Sequence, residues 1–248
     1  MEWNAGLERK LTQDSRGIFA KFLEVLLFMG VLSRNAWNIR KGCSAVPIQI
    51  ESDFKSAEEL GDAFRLHGSD KSTHHDYERI YSNLIPRHLA KSVLEIGIGS
   101  NNLDTPQNMG VNGVPGASLR AWQSWFPNAT IIGGDIDSRI LFQEDRISTY
   151  WVDQLVPESI VSICQQSLDL FDLVIIDGLH TPIADLNSLI YTIPFVRSGG
   201  YIVIEDISPN SAKSVWIFLK LVLSNRGGST LIKMKNGHLF LFQKQISS

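Results

Sequence analysis

From Ser92 onward the chain alternates short apolar runs with longer stretches in which apolar residues recur every three or four positions. Ser92–Ile96, Thr130–Gly133, Ile147–Val152, Leu173–Ile176 and Tyr201–Ile204 have strand length. The continuous apolar runs Leu173–Ile176 and Tyr201–Ile204 read as strands covered on both faces. Between them, Ser118–Phe126, Pro157–Leu168, Pro182–Tyr191 and Ala212–Ser224 carry helical spacing, with Ser118 as an N-cap and Pro182 in a first turn. The end of the chain differs. Ser229–Met234 and His238–Gln243 flank Lys235-Asn236-Gly237, and Asn-Gly between two β-prone runs signals a hairpin. Five strands alternating with helices and closed by a hairpin predict an α/β fold with a doubly wound, mostly parallel sheet.

The first part of the chain lacks this alternation. Residues 1–66 read as an N-terminal helical extension, and residues 67–248 as the main domain. Ile18–Leu32 is apolar but broken by Lys21 and Glu24, and it falls short of the ~20 apolar residues of a spanning helix. A buried or subunit-contact helix is expected there, which opens a route to a homo-oligomer and gives no membrane span. Further on, Tyr77, Ile80, Tyr81, Leu84 and Ile85 share one helical face, with Ser72 or Thr73 as the cap and Pro86 as the stop. Trp122, Trp125, Trp151 and Trp216 read as core by their spacing.

A net charge of −3 gives no bulk attraction to nucleic acid, and none is expected as a partner. The two cysteines, Cys43 and Cys164, are far apart and outside any CxxC pattern, so reduced thiols are expected. The polar, acidic start Met1-Glu2-Trp3-Asn4 does not read as a secretory leader, and a cytoplasmic setting is the expectation.

Candidate chemistry gathers where apolar runs end in acid. Phe171-Asp-Leu-Val-Ile-Ile-Asp-Gly-Leu-His180 and Gly200-Tyr-Ile-Val-Ile-Glu-Asp206 bring Asp177, Glu205 and Asp206 to the carboxyl ends of two strands, with His180 beside them. Open α/β sheets place their ligands at such ends. Three crowded carboxylates repel one another unless a cation or proton intervenes, so a divalent metal site with a neighbouring base is expected. In Val93-Leu-Glu-Ile-Gly-Ile-Gly-Ser100, Gly97 and Gly99 allow a close backbone approach, and Glu95 suits a cationic or hydroxylated group rather than a phosphate. The spacing is not GxGxxG and no P-loop lysine follows. Asp135, in Gly133-Gly-Asp-Ile-Asp137, suits a ribose diol, with Asp137 as the reserve or a helix cap. Asp153 or Gln154, after the third strand, suits an adenine amino group. The three sites together describe an adenosine pocket with an acid at its glycine turn.

That combination resembles the class I S-adenosylmethionine-dependent methyltransferases, from Ser92 to the end of the chain. The resemblance implies a Rossmann-like sheet of seven strands in the order 3-2-1-4-5-7-6. Asp177-x-x-His180, Glu205-Asp206 and the upstream Gly68-Ser-Asp-Lys71 with His75 and Tyr77 look more narrowly like the metal-dependent sugar O-methyltransferases of macrolide biosynthesis. On that resemblance Asp177, Glu205 and Asp206 bind Mg²⁺ and His180 is the general base; Lys71 is read as a partner for the carboxylate of the cofactor's methionine part or as a solvated lysine. The chain departs from the pattern at Ile176, where such proteins often carry a further acid, and in the long loop Asn101–Gly116. A loop this long is usually functional, and a lid over substrate or cofactor is expected. The expected activity is methyl transfer to a hydroxyl of a sugar or glycosylated natural product. A metal-independent small-molecule methyltransferase and a non-catalytic cofactor-binding partner protein are the alternatives.

Overall fold

The computed structural model describes residues 54–208 and 213–246. The apolar run at 18–32 and Cys43 lie outside the described residues. Two helices precede the sheet, α1 (Phe54–His67) and the single turn α2 (Glu78–Tyr81). The sheet and its helices follow as β1 (Ser92–Ile96), α3 (Ala117–Trp125), β2 (Thr130–Asp135), β3 (Gln143–Glu144), β4 (Ile147–Trp151), α4 (Pro157–Cys164), β5 (Phe171–Ile176), α5 (Pro182–Thr192), β6 (Val196–Ile207), α6 (Lys213–Leu223), β7 (Gly227–Lys233) and β8 (His238–Lys244).

The strand order is β3-β4-β2-β1-β5-β6-β8-β7. With the two-residue β3 set aside, this is the 3-2-1-4-5-7-6 order that the resemblance implied, and β3 makes the count eight rather than seven. Strands β4, β2, β1, β5 and β6 run parallel, and β8 is antiparallel to both β6 and β7. No helix among the described residues is long and apolar enough to cross a membrane.

Period-two alternation divides the apolar runs between two cores. Val93, Leu173, Ile175, Val203 and Leu241 face one side, where they meet Leu60 and Phe64 of α1, Tyr77, Tyr81, and Trp122 of α3. Leu94, Val174, Ile176, Ile202, Ile204 and Phe242 face the other, against Ile160 and Ile163 of α4, Leu189 of α5 and Trp216 of α6. The boundary expected after residue 66 falls at the end of α1. Phe64 is fully buried and meets Trp122 edge-on at 4.8 Å.

Three local expectations fail, one of them at Trp151, read as core but 48% exposed. The helix expected after Ser72 or Thr73 is a series of turns leading into the one-turn α2. Asp76 has φ +62, which breaks any helix, and the hydroxyls of Ser72 and Thr73 donate to the carbonyls of Gly61 and Asp70 rather than capping one. Helix α3 is capped by Gly116 at φ +72 instead of by Ser118, whose hydroxyl bonds to Glu95 inside the core. At Ser118 a buried carboxylate of the sheet competes with local capping and wins.

Phe64→Ala tests whether α1 belongs to the cooperative core. Truncating a buried aromatic there is expected to cost about 3–5 kcal/mol. It would be read as a lower urea midpoint with an unchanged slope.

Candidate active site

The carboxyl ends of β1, β2 and β5 are stitched together by main-chain hydrogen bonds. Gly97 N–H donates to the Gly134 carbonyl at 2.7 Å, and Asp177 N–H donates to the Ile96 carbonyl at 2.8 Å. A Cβ at Gly97, which has φ +93, would lie 2.1 Å from the Asp177 carbonyl oxygen, so the close crossing admits only glycine. A cleft opens above this crossing, bordered by Gly97, Gly99, Asp135, Ile136, Asp153 and Leu179.

The acids and amide expected at the cofactor divide into separate tasks. Asp135 faces the cleft while accepting the N–H groups of Ile98 and Asp137, both at 3.0 Å. Asp137 caps the short 3₁₀ turn Ser138–Ile140 and ties down the long loop, accepting from Ser100 Oγ at 2.6 Å, Asn102 Nδ2 at 2.8 Å and Arg139 Nε at 2.6 Å. The Arg139 hydrogen bonds hold its carboxyl well below the ordinary carboxylate range. Met109, further along that loop, lies over Gly99. Asp153 lines the cleft and accepts from Leu155 N–H at 2.8 Å. Gln154 lines it too, but its amide is engaged at both ends: Oε1 accepts Leu179 N–H at 2.7 Å, and Nε2 reaches Ser188 Oγ at 2.9 Å. Gln154 therefore braces the turn that carries His180.

A second cavity, of about 290 Å³, adjoins the glycine turn and contains the acid cluster. Lys71 lies at its base, 3% exposed, with Nζ 2.6 Å from Asp177 Oδ2, 2.5 Å from Glu205 Oε2 and 3.2 Å from Glu95 Oε1. Burial works against this ammonium. The carboxylates of Asp177, Glu205 and Glu95 outweigh burial and hold the lysine pKa well above its ordinary value. The remaining oxygens of the two buried glutamates are also taken. Tyr81 O–H donates to Glu205 Oε1, and Trp122 Nε1–H donates to Glu95 Oε2 at 2.6 Å.

Asp206 turns away from this buried group into the cavity. The pairing of β6 with β8 slips between Ile204 and Ile207, and Asp206 has φ +53. Its freed N–H donates to the Tyr77 oxygen at 3.1 Å, while Tyr77 O–H donates to Asp206 Oδ1 at 2.6 Å. His75 stacks on the Tyr77 ring at 4.8 Å and brings Nδ1 to 3.1 Å from the same Oδ1. The outward atoms then converge. His180 Nε2 is 3.9 Å from Asp177 Oδ1 and 3.8 Å from Asp206 Oδ2, and ligand atoms of these three residues lie within 4.8 Å of one another. Two carboxylates and an imidazole at that spacing fit a divalent cation or a proton-transfer site. Asp177, Glu205, Asp206 and His180 thus border one cavity, with Glu205 on its inner wall.

No protein-family model matches the chain. It is 31% identical, over 70% of its own length and 46% of the relative's, to 8-demethyl-8-(2-methoxy-alpha-L-rhamnosyl)-tetracenomycin-C 3'-O-methyltransferase of Streptomyces olivaceus. It is 38% identical over 115 residues, 46% of this chain and 27% of the relative, to mycinamicin VI 2''-O-methyltransferase of Micromonospora griseorubida. The crystal structure of MycE methyltransferase from the mycinamycin biosynthetic pathway, in complex with Mg and SAH, superposes with a TM-score of 0.60 at 26% identity, covering 76% of this chain and 55% of MycE. This fold is that of the class I S-adenosylmethionine-dependent methyltransferases. The chain spans less than half the length of the two curated relatives.

Within this methyltransferase fold, the aromatic groups around the acids are what sequence reasoning missed. Spacing reads Tyr81 and Trp122 only as core, and Tyr77 is tied to the site only through the resemblance, with no role at Asp206. The available signal was their chemistry, since a buried Tyr O–H or Trp N–H requires a partner where Phe would not.

Asp185, in the first turn of α5, is 4% exposed, and its Oδ1 is buried without a partner. Burial, and then the Asp177 carboxylate, push its pKa up to about 8. An unfolded aspartate titrates near about 3.9. Between those values the folded protein keeps a proton that the unfolded chain has lost, so stability falls as pH rises through that window. Asp185→Asn is expected to remove this slope, which is at most about 1.4 kcal/mol per pH unit. Urea midpoints of both proteins from acid to mildly alkaline pH check it, the advantage of the variant growing with pH.

Proposed function

We propose that this chain is an S-adenosylmethionine-dependent O-methyltransferase that uses Mg²⁺ and acts on a hydroxyl of a sugar or glycosylated natural product. The observation that carries the reading is the convergence of Asp177, His180 and Asp206 at the tips of β5 and β6, beside the glycine turn. The activities of the relatives, an O-methyltransferase of a rhamnosyl-tetracenomycin and one of mycinamicin VI, support the acceptor class. The Mg and SAH of the MycE complex support the cofactor pair.

In this reading Glu95, Gly97, Gly99, Asp135 and Asp153 form the S-adenosylmethionine site. Lys71 and Gln154 serve it indirectly, through the acid cluster and the His180 turn. Asp177, Glu205 and Asp206 would hold Mg²⁺, which favours carboxylate and water oxygens. A bound Mg²⁺ lowers the pKa of a hydroxyl in its coordination sphere and orients it. His180 Nε2 takes the acceptor's proton as the oxygen attacks the sulfonium methyl. Tyr77 and His75 fix Asp206, so the acid and the base keep a set separation. Residues 67–248 form the methyltransferase domain, with 1–66 as a helical extension. Self-association through the apolar run at 18–32 and a cytoplasmic setting complete the proposal.

Turnover assays with S-adenosylmethionine, Mg²⁺ and a panel of glycosylated acceptors test it. His180→Ala is expected to lower kcat by about 10²–10⁴ while leaving metal and cofactor binding intact by calorimetry. Asp177→Asn is expected to lose Mg²⁺ binding and keep cofactor binding. Undiminished turnover in chelator, or in His180→Ala, would overturn the reading.

A further inference from the structure

Lys71 stands where a cation is needed, between two carboxylates of the candidate metal set. Its Nζ is 2.6 Å from Asp177 Oδ2 and 2.5 Å from Glu205 Oε2, oxygens carried by two different strands. We infer that Lys71 is a built-in counter-cation that competes with the divalent metal for Asp177 and Glu205, so that metal entry displaces its ammonium from the acid cluster. This inference rests on the metal-dependent reading above.

The first argument is steric. Mg²⁺ holds its oxygens at about 2.0–2.1 Å. An ion bound to both Asp177 Oδ2 and Glu205 Oε2 would take the space that Nζ fills, and two cations cannot share it. The second argument is electrostatic. Glu95, Asp177 and Glu205 crowd around one ammonium, and Asp206 adds a fourth carboxylate at the cavity wall. A divalent ion relieves the mutual repulsion of clustered carboxyl groups more than a single ammonium does. The third is mechanical. Lys71 sits in turns between Gly68 at φ +84 and Asp76 at φ +62, outside any helix or strand, so the backbone that carries it can shift without breaking a helix or sheet ladder. The adjoining cavity of about 290 Å³, also bordered by Ser69 and Asp70, gives the ammonium somewhere to go.

A lysine that merely props the acids in place makes the opposite prediction, because its removal would weaken metal binding. Calorimetry of Mg²⁺ binding to the full chain and to Lys71→Met separates the two. Competition predicts that the variant binds Mg²⁺ about tenfold or more tightly. Equal or weaker binding by the folded variant overturns the inference. Lys71→Met strips the ammonium from three carboxylates and can fail to fold, so the wild type carries a second readout. Lysine acylation, quantified on the Lys71 peptide by mass spectrometry, is expected to rise severalfold on adding Mg²⁺. Mg²⁺ binding with Lys71 equally protected overturns the exchange alone. Absence of Mg²⁺ binding to both folded proteins overturns the metal-dependent reading and the exchange with it.

Discussion

Everything at the carboxyl edge of this sheet depends on holding several carboxylates out of water. Glu95 and Glu205 are 0% and 1% exposed, and each ion taken from water carries a desolvation penalty of several kcal/mol unless its partners are in place. Those partners are Lys71 for the charge and Tyr81 and Trp122 for the remaining oxygens. The same Trp122 ring packs against Phe64, Tyr81 and Phe126. The packing of α1, α2 and α3 on the sheet and the electrostatics of the site are therefore one set of contacts, so a change in either disturbs both.

Strand geometry then sets how deep each acid lies at the cavity. Glu205 follows the alternation of β6 and shares the face of Val203, towards Lys71 and Tyr81. Its neighbour Asp206 would point to the opposite core, but the slip in pairing and a left-handed backbone turn it to the cavity. His180 also has a left-handed backbone, at φ +51, in the turn braced by Gln154. Such conformations cost on the order of 1–3 kcal/mol and persist only where the surroundings impose them. Here both occur at side chains that converge on one point.

Much of the fold was legible from strand-length segments set between helical stretches, the buried β5 being largely apolar, and β1, β4 and β5 lie within a residue or two of their expected ends. Strand β6 extends well past Tyr201–Ile204, since polar residues at both its ends interrupt the apolar signal. The cap expectation at Ser118 failed because local propensity could not register the buried Glu95, and the one at Ser72 and Thr73 failed where Asp76 turns left-handed and the two hydroxyls bond to nearby carbonyls.

The site divides in the same way. Chain order alone was enough to bring Asp177, His180, Glu205 and Asp206 to neighbouring strand tips, because parallel topology puts successive strand ends on one edge. Which oxygen faces the cavity, and which is spent on Lys71 or a tyrosine, was decided only by tertiary structure. Lys71 lies 106 residues from Asp177 and 134 from Glu205. No local pattern encodes such a meeting, because it follows from the register of three strands and from turns that fold back over them.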